Sequence, residues 1–442
     1  MQEISIEVES LYKDHLAQIQ RRYEKALESC QSSGVLIPSG SLKYAFLDDH
    51  SYPFKVNPHF KTWLPVEDND ESFILMRPGE KPLLLFNQPE DYWHQPASDP
   101  DDFWVEEWEI QSIRSLIDAS NRIGDPRSLV FVGEETDLAR EWGIGQINPQ
   151  TFLSEVHYGR ANKTDYELAC LQIANNIAVQ GHRAAEEAFR LGCSEFEIQH
   201  RYLAAIAHRE KESPYSAIVG LNEHCAILHY QHYDRQAPTT TYSLLIDAGA
   251  NKNGYAADIT RTYATGNGLF RDLINAMNKQ QLAIIDEIQP GLNYADLHEK
   301  MHLRLAGVLR DFQIVDMEEA DMVESNLTFT FLPHGLGHLL GLQTHDVAGL
   351  QQSPRGDEKA APEKYPALRL TRTIENRQVF TIEPGLYFIP MLLNKLRQSA
   401  HASQVNWQLI EELVPCGGIR IEDNIAMLEG RPINLTRNAF DG

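Results

Sequence analysis

The stretch "SLLIDAGANKNGYAADITRTYA", residues 243–264, constrains this chain more than any other. Two apolar, strand-like runs flank "NKNG", a turn-forming sequence, so the segment reads as a β-hairpin. With residues 251–254 as the turn, Ala250 faces Tyr255 and Asp247 faces Asp258. A tighter turn on Asn253 and Gly254 moves the two aspartates to a diagonal, and both side chains stay on one face of the sheet. Two carboxylates roughly 5 Å apart repel each other unless a proton or a cation lies between them. The simple cation is a metal ion. The plainer alternative, two solvated aspartates on an exposed hairpin, stays open from this stretch alone.

Other carboxylates stand in similar surroundings. "QVFTIEPGLYF" places Glu383 at the end of an apolar strand, and "CGGIRIEDNIAM" places Glu422 inside another. A charge among apolar residues needs a partner. Arg420 and Glu422 are two apart and so share a strand face; an Arg–Glu ion pair on an edge strand is the ordinary explanation. "PHGLGHLLGLQTHD" adds His334, His338 and His345 within fourteen residues. In an extended backbone His334 and His338 share a face, and Gly335 and Gly337 let that backbone approach another closely. A carboxylate-rich site for a divalent ion commonly accepts one imidazole, yet the segment alone does not choose among three histidines or exclude hydrogen-bonded core residues.

Bulk properties narrow the classes. At 442 residues the chain exceeds the size at which one core keeps growing, so more than one domain is expected. Its 39 basic against 63 acidic residues give a net charge of -24, which disfavours nucleic acid and anionic membrane surfaces as partners. "MQEISIEVES" lacks a basic stretch followed by an apolar one, and no run approaches the roughly 18 apolar residues of a membrane span, so a cytoplasmic protein is expected. Five scattered cysteines without a C-x-x-C pair fit reduced, mostly buried thiols rather than disulfides or a thiolate metal site.

Residues 1–160 mix a polar helix near 6–31 with short strand-like runs, "SGVLIP", "SFILMR", "KPLLLF" and "SLVFVG", an α/β pattern. "NQPEDYWHQPASDPDDFWVEEW" reads as a packed surface loop. At "GRANKTDYELAC" the texture changes: Thr164 and Glu167 form a capping box, a long helix follows, and Gly192 closes it. A second domain, 161–442, is expected to begin there. Helical segments near 164–191, 195–210 and 268–312 and strands near 242–264, 378–388 and 417–428 make it α+β, an antiparallel sheet covered by helices.

Taken in order, "IDAG…ADITRT", "PHGLGHLLGLQTHD", "TIEPGLYF" and "GGIRIEDN" resemble the metallopeptidases of the methionine aminopeptidase and prolidase group. The likeness extends over essentially the whole chain. It is greatest to bacterial-type proline dipeptidases, among them those that also hydrolyse organophosphorus esters, and includes "YAFLDDHSYPFKVNPHFKTWLPV" and "DYWH". The resemblance implies a creatinase-like α/β amino-terminal domain and a pita-bread catalytic domain with a curved antiparallel sheet. It also implies metal ligation by Asp247, Asp258, His338, Glu383 and Glu422. His345 and His229 would face the substrate, and His334 would support the site or stay structural. Arg369 would anchor the substrate carboxylate, with Arg372 as its rival. Family members usually form homodimers, in which Asp48 or Asp49 would reach the partner's site.

Four carboxylates and one imidazole carry a charge of about minus four, which two divalent ions cancel. Oxygen-dominated ligation favours Mn2+, Co2+ or Mg2+, and the resemblance points to manganese with cobalt as an alternative. Two such ions roughly 3.5 to 4 Å apart can share a water and lower its pKa, giving a hydroxide that attacks a carbonyl or phosphoryl centre. Glu383 is then the expected proton carrier, His345 the oxyanion donor, and Arg420 the group orienting the carboxylates. The expected activity is hydrolysis of Xaa-Pro dipeptides, with organophosphorus esters as side substrates. The alternatives are aminopeptidase P-type cleavage of longer peptides and a non-catalytic binding protein of the same fold.

Overall fold

The computed structural model describes residues 8–93, 95 and 97–442. The opening "MQEISIE" and His94, which ends "DYWH", lie outside the described residues. The chain divides into two compact units, Met1–Cys170 with 253–255 and 353–357, and Leu171–Lys252 with 256–352 and 358–442.

The first unit is built on a six-stranded mixed sheet. Gly34–Pro38 pairs antiparallel with Phe73–Met76 and parallel with Leu129–Phe131. Apolar residues from these strands, among them Leu36, Phe73, Leu85, Ile113 and Phe131, form one core. The four apolar runs expected to be strands all contribute to this sheet. The loop reading of 87–108 holds in part. Trp104 and Trp108 are buried, but Tyr92 and Trp93 are 87% and 77% exposed, and a short 3-10 turn occupies Val105–Glu107.

The second unit alternates helices with short antiparallel sheets. The helix Asp165–Arg190 starts at the expected capping box: the Thr164 N–H donates to Glu167 at 2.7 Å and the Glu167 N–H to the Thr164 hydroxyl at 3.2 Å, worth about 1 kcal/mol for such a cap. Gly192, at φ 78°, closes it. The segment 268–312 is two helices, Leu269–Ile285 and Tyr294–Asp311, because Pro290 and Gly291 (φ 92°) cannot continue the first, and Asn293 caps the second. The helix after Ser194 ends at Ile206, earlier than 210, where Ala207 turns left-handed.

Three strands in the order Thr260–Ala264, Ser243–Asp247, Ile218–Leu221 form one antiparallel sheet. Val379–Ile382, Asp423–Leu428 and Arg431–Asn434 form a second, and Gly385–Tyr387 pairs with Gly418–Arg420. The bridge Thr260↔Glu422 ties the first sheet to the carboxy-terminal strands. The strand expected over 417–428 is thus interrupted, and Glu422 stands at the break. Among the described residues no helix is long and apolar enough to cross a membrane.

Candidate metal centre

The hairpin takes the tighter of the two turns. Asn253 and Gly254 both have positive φ, 54° and 84°, the conformation of a two-residue type I′ connection. The Ala257 N–H therefore donates to Ala250 O, and Asp247 faces Thr260 rather than Asp258. This two-residue shift puts Asp258 on the diagonal and keeps both carboxylates on one face. One phenol joins them: Tyr215 Oη lies 2.8 Å from Asp247 Oδ1 and 2.5 Å from Asp258 Oδ1.

The histidine segment runs antiparallel to the strand Val379–Ile382, with Thr381 N–H donating to His338 O and Glu383 N–H to Leu336 O. Gly337 makes this approach possible, since a Cβ there would stand 2.2 Å from Thr381 O and 2.4 Å from Tyr294 Oη. His338 and Glu383 are brought side by side, 3.7 Å apart between Nε2 and Oε1. His338 Nδ1 is held by the Leu339 carbonyl at 3.0 Å, which leaves Nε2 facing the carboxylates, 3.3 Å from Asp258 Oδ2.

Asp247, Asp258, His338, Glu383 and Glu422 line one cavity of about 270 Å³, together with His229, His334, His345, Arg369 and Arg420. Arg372 is placed differently: it is buried, and its guanidinium lies 2.9 Å from Glu375. Arg369 is exposed on the cavity wall, as are His229 and His345. His345 packs edge-on against His338, ring centroids 4.4 Å apart. His334 sits deeper, with Nε2 on Tyr387 Oη at 2.8 Å.

Arg420 holds the set from behind. Its guanidinium donates to Asp247 Oδ2 at 2.7 Å, to Thr260 Oγ1 at 3.2 Å and to Tyr387 Oη at 3.0 Å. Thr260 in turn donates to Glu422 Oε2 at 2.7 Å. The Asn424 side chain accepts from the Asp258 N–H at 3.0 Å. Sequence reasoning missed Tyr215, Thr260, Thr381, Tyr387 and Asn424, which sit in ordinary strand and loop sequence without a charge or a spacing to mark them.

The electrostatics are those of crowded acids. Burial pushes up the carboxyls of Asp247 and Glu422, and that of Glu383 to about 7; neighbouring carboxylates add to each, and Arg420 opposes. Asp258 is the exception: burial raises it, but the hydrogen bond and charge of His338, the Tyr215 hydrogen bond and the nearby His345 together hold it below the usual range. The His345 imidazole is depressed to about 4, first by desolvation and then by His338 and Arg369. Asp258, His338 and Glu422 each offer a donor atom within 4.8 Å of the others, all three residues buried. Converging carboxylate oxygens around a tautomer-fixed imidazole fit divalent cations, which relieve the repulsion that burial intensifies.

Comparison with known proteins agrees with this geometry. The Xaa-Pro dipeptidase amino-terminal domain matches residues 10–158, and metallopeptidase family M24 matches residues 169–429. An Xaa-Pro dipeptidase of Pseudoalteromonas haloplanktis is 49% identical over 97% of this chain and 98% of its own length. One of Shewanella halifaxensis is 48% identical over 97% and 98%. Among solved structures, a zinc-substituted Escherichia coli aminopeptidase P in complex with product superposes with a TM-score of 0.74 at 22% identity, covering 96% of this chain and 95% of that one. Aminopeptidase PepP of Pseudomonas aeruginosa gives 0.75 at 18% identity with the same coverage. At such identity the structures establish the fold, an aminopeptidase P-like α+β architecture. The sequence relationship establishes the lineage: the chain belongs to metallopeptidase family M24, in its bacterial Xaa-Pro dipeptidase branch.

Proposed function

We propose that this chain is a metal-dependent hydrolase of Xaa-Pro dipeptides whose site holds two divalent ions. The observation that carries this reading is the cavity itself, where four carboxylates and His338 share about 270 Å³ with the guanidinium of Arg369. That space suits a ligand of dipeptide size, and the close relatives carry the name Xaa-Pro dipeptidase.

Asp247, Asp258, His338, Glu383 and Glu422 would hold the ions, Mn2+ in preference and Co2+ as the alternative. When bound, the ions supply a water of lowered pKa and polarise the scissile carbonyl. Glu383, which lines the cavity beside His338, would carry a proton from the attacking water to the departing prolyl nitrogen. His345, depressed to about 4, is a neutral imidazole there and donates a hydrogen bond to the carbonyl oxygen as it gains charge. Arg369 takes the free carboxylate of the substrate, with His229 beside it on the wall. Arg420 keeps Asp247 oriented. Organophosphorus esters are side substrates in this reading, since attack at phosphorus needs the same groups.

Other parts of the reading follow. We keep the domain division at 160/161, because the capping box at Thr164 opens a helix there and the two family matches end at 158 and begin at 169. The loop 41–55 exposes Tyr44, Phe46, Leu47 and Tyr52, an apolar patch that a second copy would cover in a homodimer, with Asp48 or Asp49 reaching the partner's site. Five free cysteines favour a cytoplasmic setting. The net charge of -24 disfavours nucleic acid and membrane surfaces.

The test is an assay of Xaa-Pro dipeptides against Xaa-Pro tripeptides after chelation and readdition of each metal. Dipeptide hydrolysis should disappear on chelation and return better with Mn2+ or Co2+ than with Zn2+. Preference for tripeptides would favour the aminopeptidase P activity named in the structural relatives, and full activity in metal-free protein would defeat the metal reading.

A further inference from the structure

A second group of ligand-type residues lies in the same unit: Glu195, His224 and Asp234 also bring donor atoms within 4.8 Å of one another. Its chemistry is the reverse of the metal centre. Glu195, only 1% exposed, is the first residue of the helix Glu195–Ile206, behind the cap Ser194. Its Oε1 accepts from the Leu221 N–H at 2.8 Å and from His224 Nδ1 at 2.7 Å. Its Oε2 accepts from Tyr230 Oη at 2.7 Å and from the Asp234 N–H at 2.8 Å. An ionised carboxylate has about four lone-pair sites, and all four face a hydrogen. A cation would have to displace one of these donors to reach the carboxylate.

The four donors have something else in common. Leu221 ends the strand Ile218–Leu221, Asp234 lies thirteen positions later, and the segment between them carries Leu228 and His229, which line the substrate cavity. Tyr230, next to His229, is buried, and its ring stacks on His224 at 4.3 Å between centroids. The hydroxyl of Tyr230 and the ring nitrogen of His224 are both held by the one carboxylate. Among the described residues, this carboxylate joins both ends and the middle of that segment to the start of a helix. A negative charge at a helix amino terminus is favourable there.

We infer that Glu195 is a positioning residue for substrate recognition: it fixes the segment 221–234 and thereby the place of His229 and Leu228 on the cavity wall. The inference rests on the reading of His229 as a substrate-facing group. Glu195 touches neither substrate nor metal ligand, so its loss should appear in KM and leave the metal centre loaded.

The experiment is a double-mutant cycle on the full-length, metal-loaded protein with an Xaa-Pro dipeptide. Glu195→Gln keeps the shape but replaces one acceptor by a donor that opposes the N–H groups around it. It should raise KM about tenfold and change kcat less than about threefold, with metal stoichiometry unchanged and Glu195→Asp recovering part of the loss. In a His229→Ala background, Glu195→Gln should add much less to KM than it does alone, the remainder coming from Leu228. Tyr230→Phe, which removes one hydroxyl and keeps the stacked ring, is the milder variant and should follow the same pattern if Glu195→Gln fails to fold. Multiplying effects of Glu195→Gln and His229→Ala, or a fall in kcat and metal content at constant KM, would overturn the inference while leaving the role of His229 standing. A His229→Ala enzyme of unchanged KM would instead remove the reading of His229 and this inference with it.

Discussion

The Asp258–His338–Glu422 group and the Glu195–His224–Asp234 group contain the same residue types, each with donor atoms within 4.8 Å of one another. Around Glu195 every hydrogen-bonding neighbour is a donor, two backbone N–H groups, a phenol and an imidazole. Glu422 accepts from the Thr260 hydroxyl, but further carboxylates crowd it as well, and after burial they push its carboxyl up. One buried acid is surrounded by donors alone; the others have donors such as Tyr215, Arg420 and Thr260 and still face one another. The contrast teaches that a cluster of histidine and carboxylates announces a cation only when its lone pairs converge on each other.

Four substitutions test that contrast. The largest effect belongs to His338→Ala, which removes the imidazole from the acceptor cluster and should lose metal and activity together. His345→Ala, one ring away, should keep both metals yet lose about a hundredfold in kcat, as when one oxyanion donor is removed. Metal stoichiometry measured beside kcat separates them; metal loss in His345→Ala with retention in His338→Ala would reverse the assignment.

Next in size is Asp258→Asn, which takes a charge out of the crowded set. Even outer-shell partners of a metal are worth roughly 10–100-fold in affinity, so this change should cost at least about tenfold, read by titrating metal into the apoprotein. The fold should survive, because repulsion with Asp247 is relieved. Normal loading of two metals by Asp258→Asn would break the argument from the hairpin.

The smallest effect is expected on the donor-filled side. His224→Ala should leave metal stoichiometry unchanged and raise KM by about threefold. A drop in bound metal would mean that the two clusters are not the opposites described.

Much of this was legible in the sequence. The four motif blocks carried eleven residues that line one cavity, because a strand's alternation and a close glycine approach can both be read locally. The strands of the amino-terminal sheet were equally plain from their apolar runs. The hairpin register was legible only to within two alternatives, since "NKNG" accommodates either turn, and positive φ at both Asn253 and Gly254 decides for the tighter one. Arg369 and Arg372 stand three residues apart in "PALRLTRT", and which one reaches the cavity depends on packing that no local pattern encodes. Tyr215 is joined to the two aspartates across 32 and 43 residues. Glu195 looked like an ordinary helix start because its partners lie 26 to 39 residues downstream.

Thr260 has one more consequence. It pairs with Glu422 through backbone and side chain across a separation of 162 residues, while Arg420 spans 173 residues to reach Asp247. Contacts so distant in the chain are slow to close and expensive in loop entropy. During synthesis, Asp247 and Asp258 leave the ribosome long before Glu422 does, so an unfinished chain has the hairpin without its counterpart. With Glu422 among the proposed ligands, metal capture would then be a late event, one that reports a completed fold rather than seeding it.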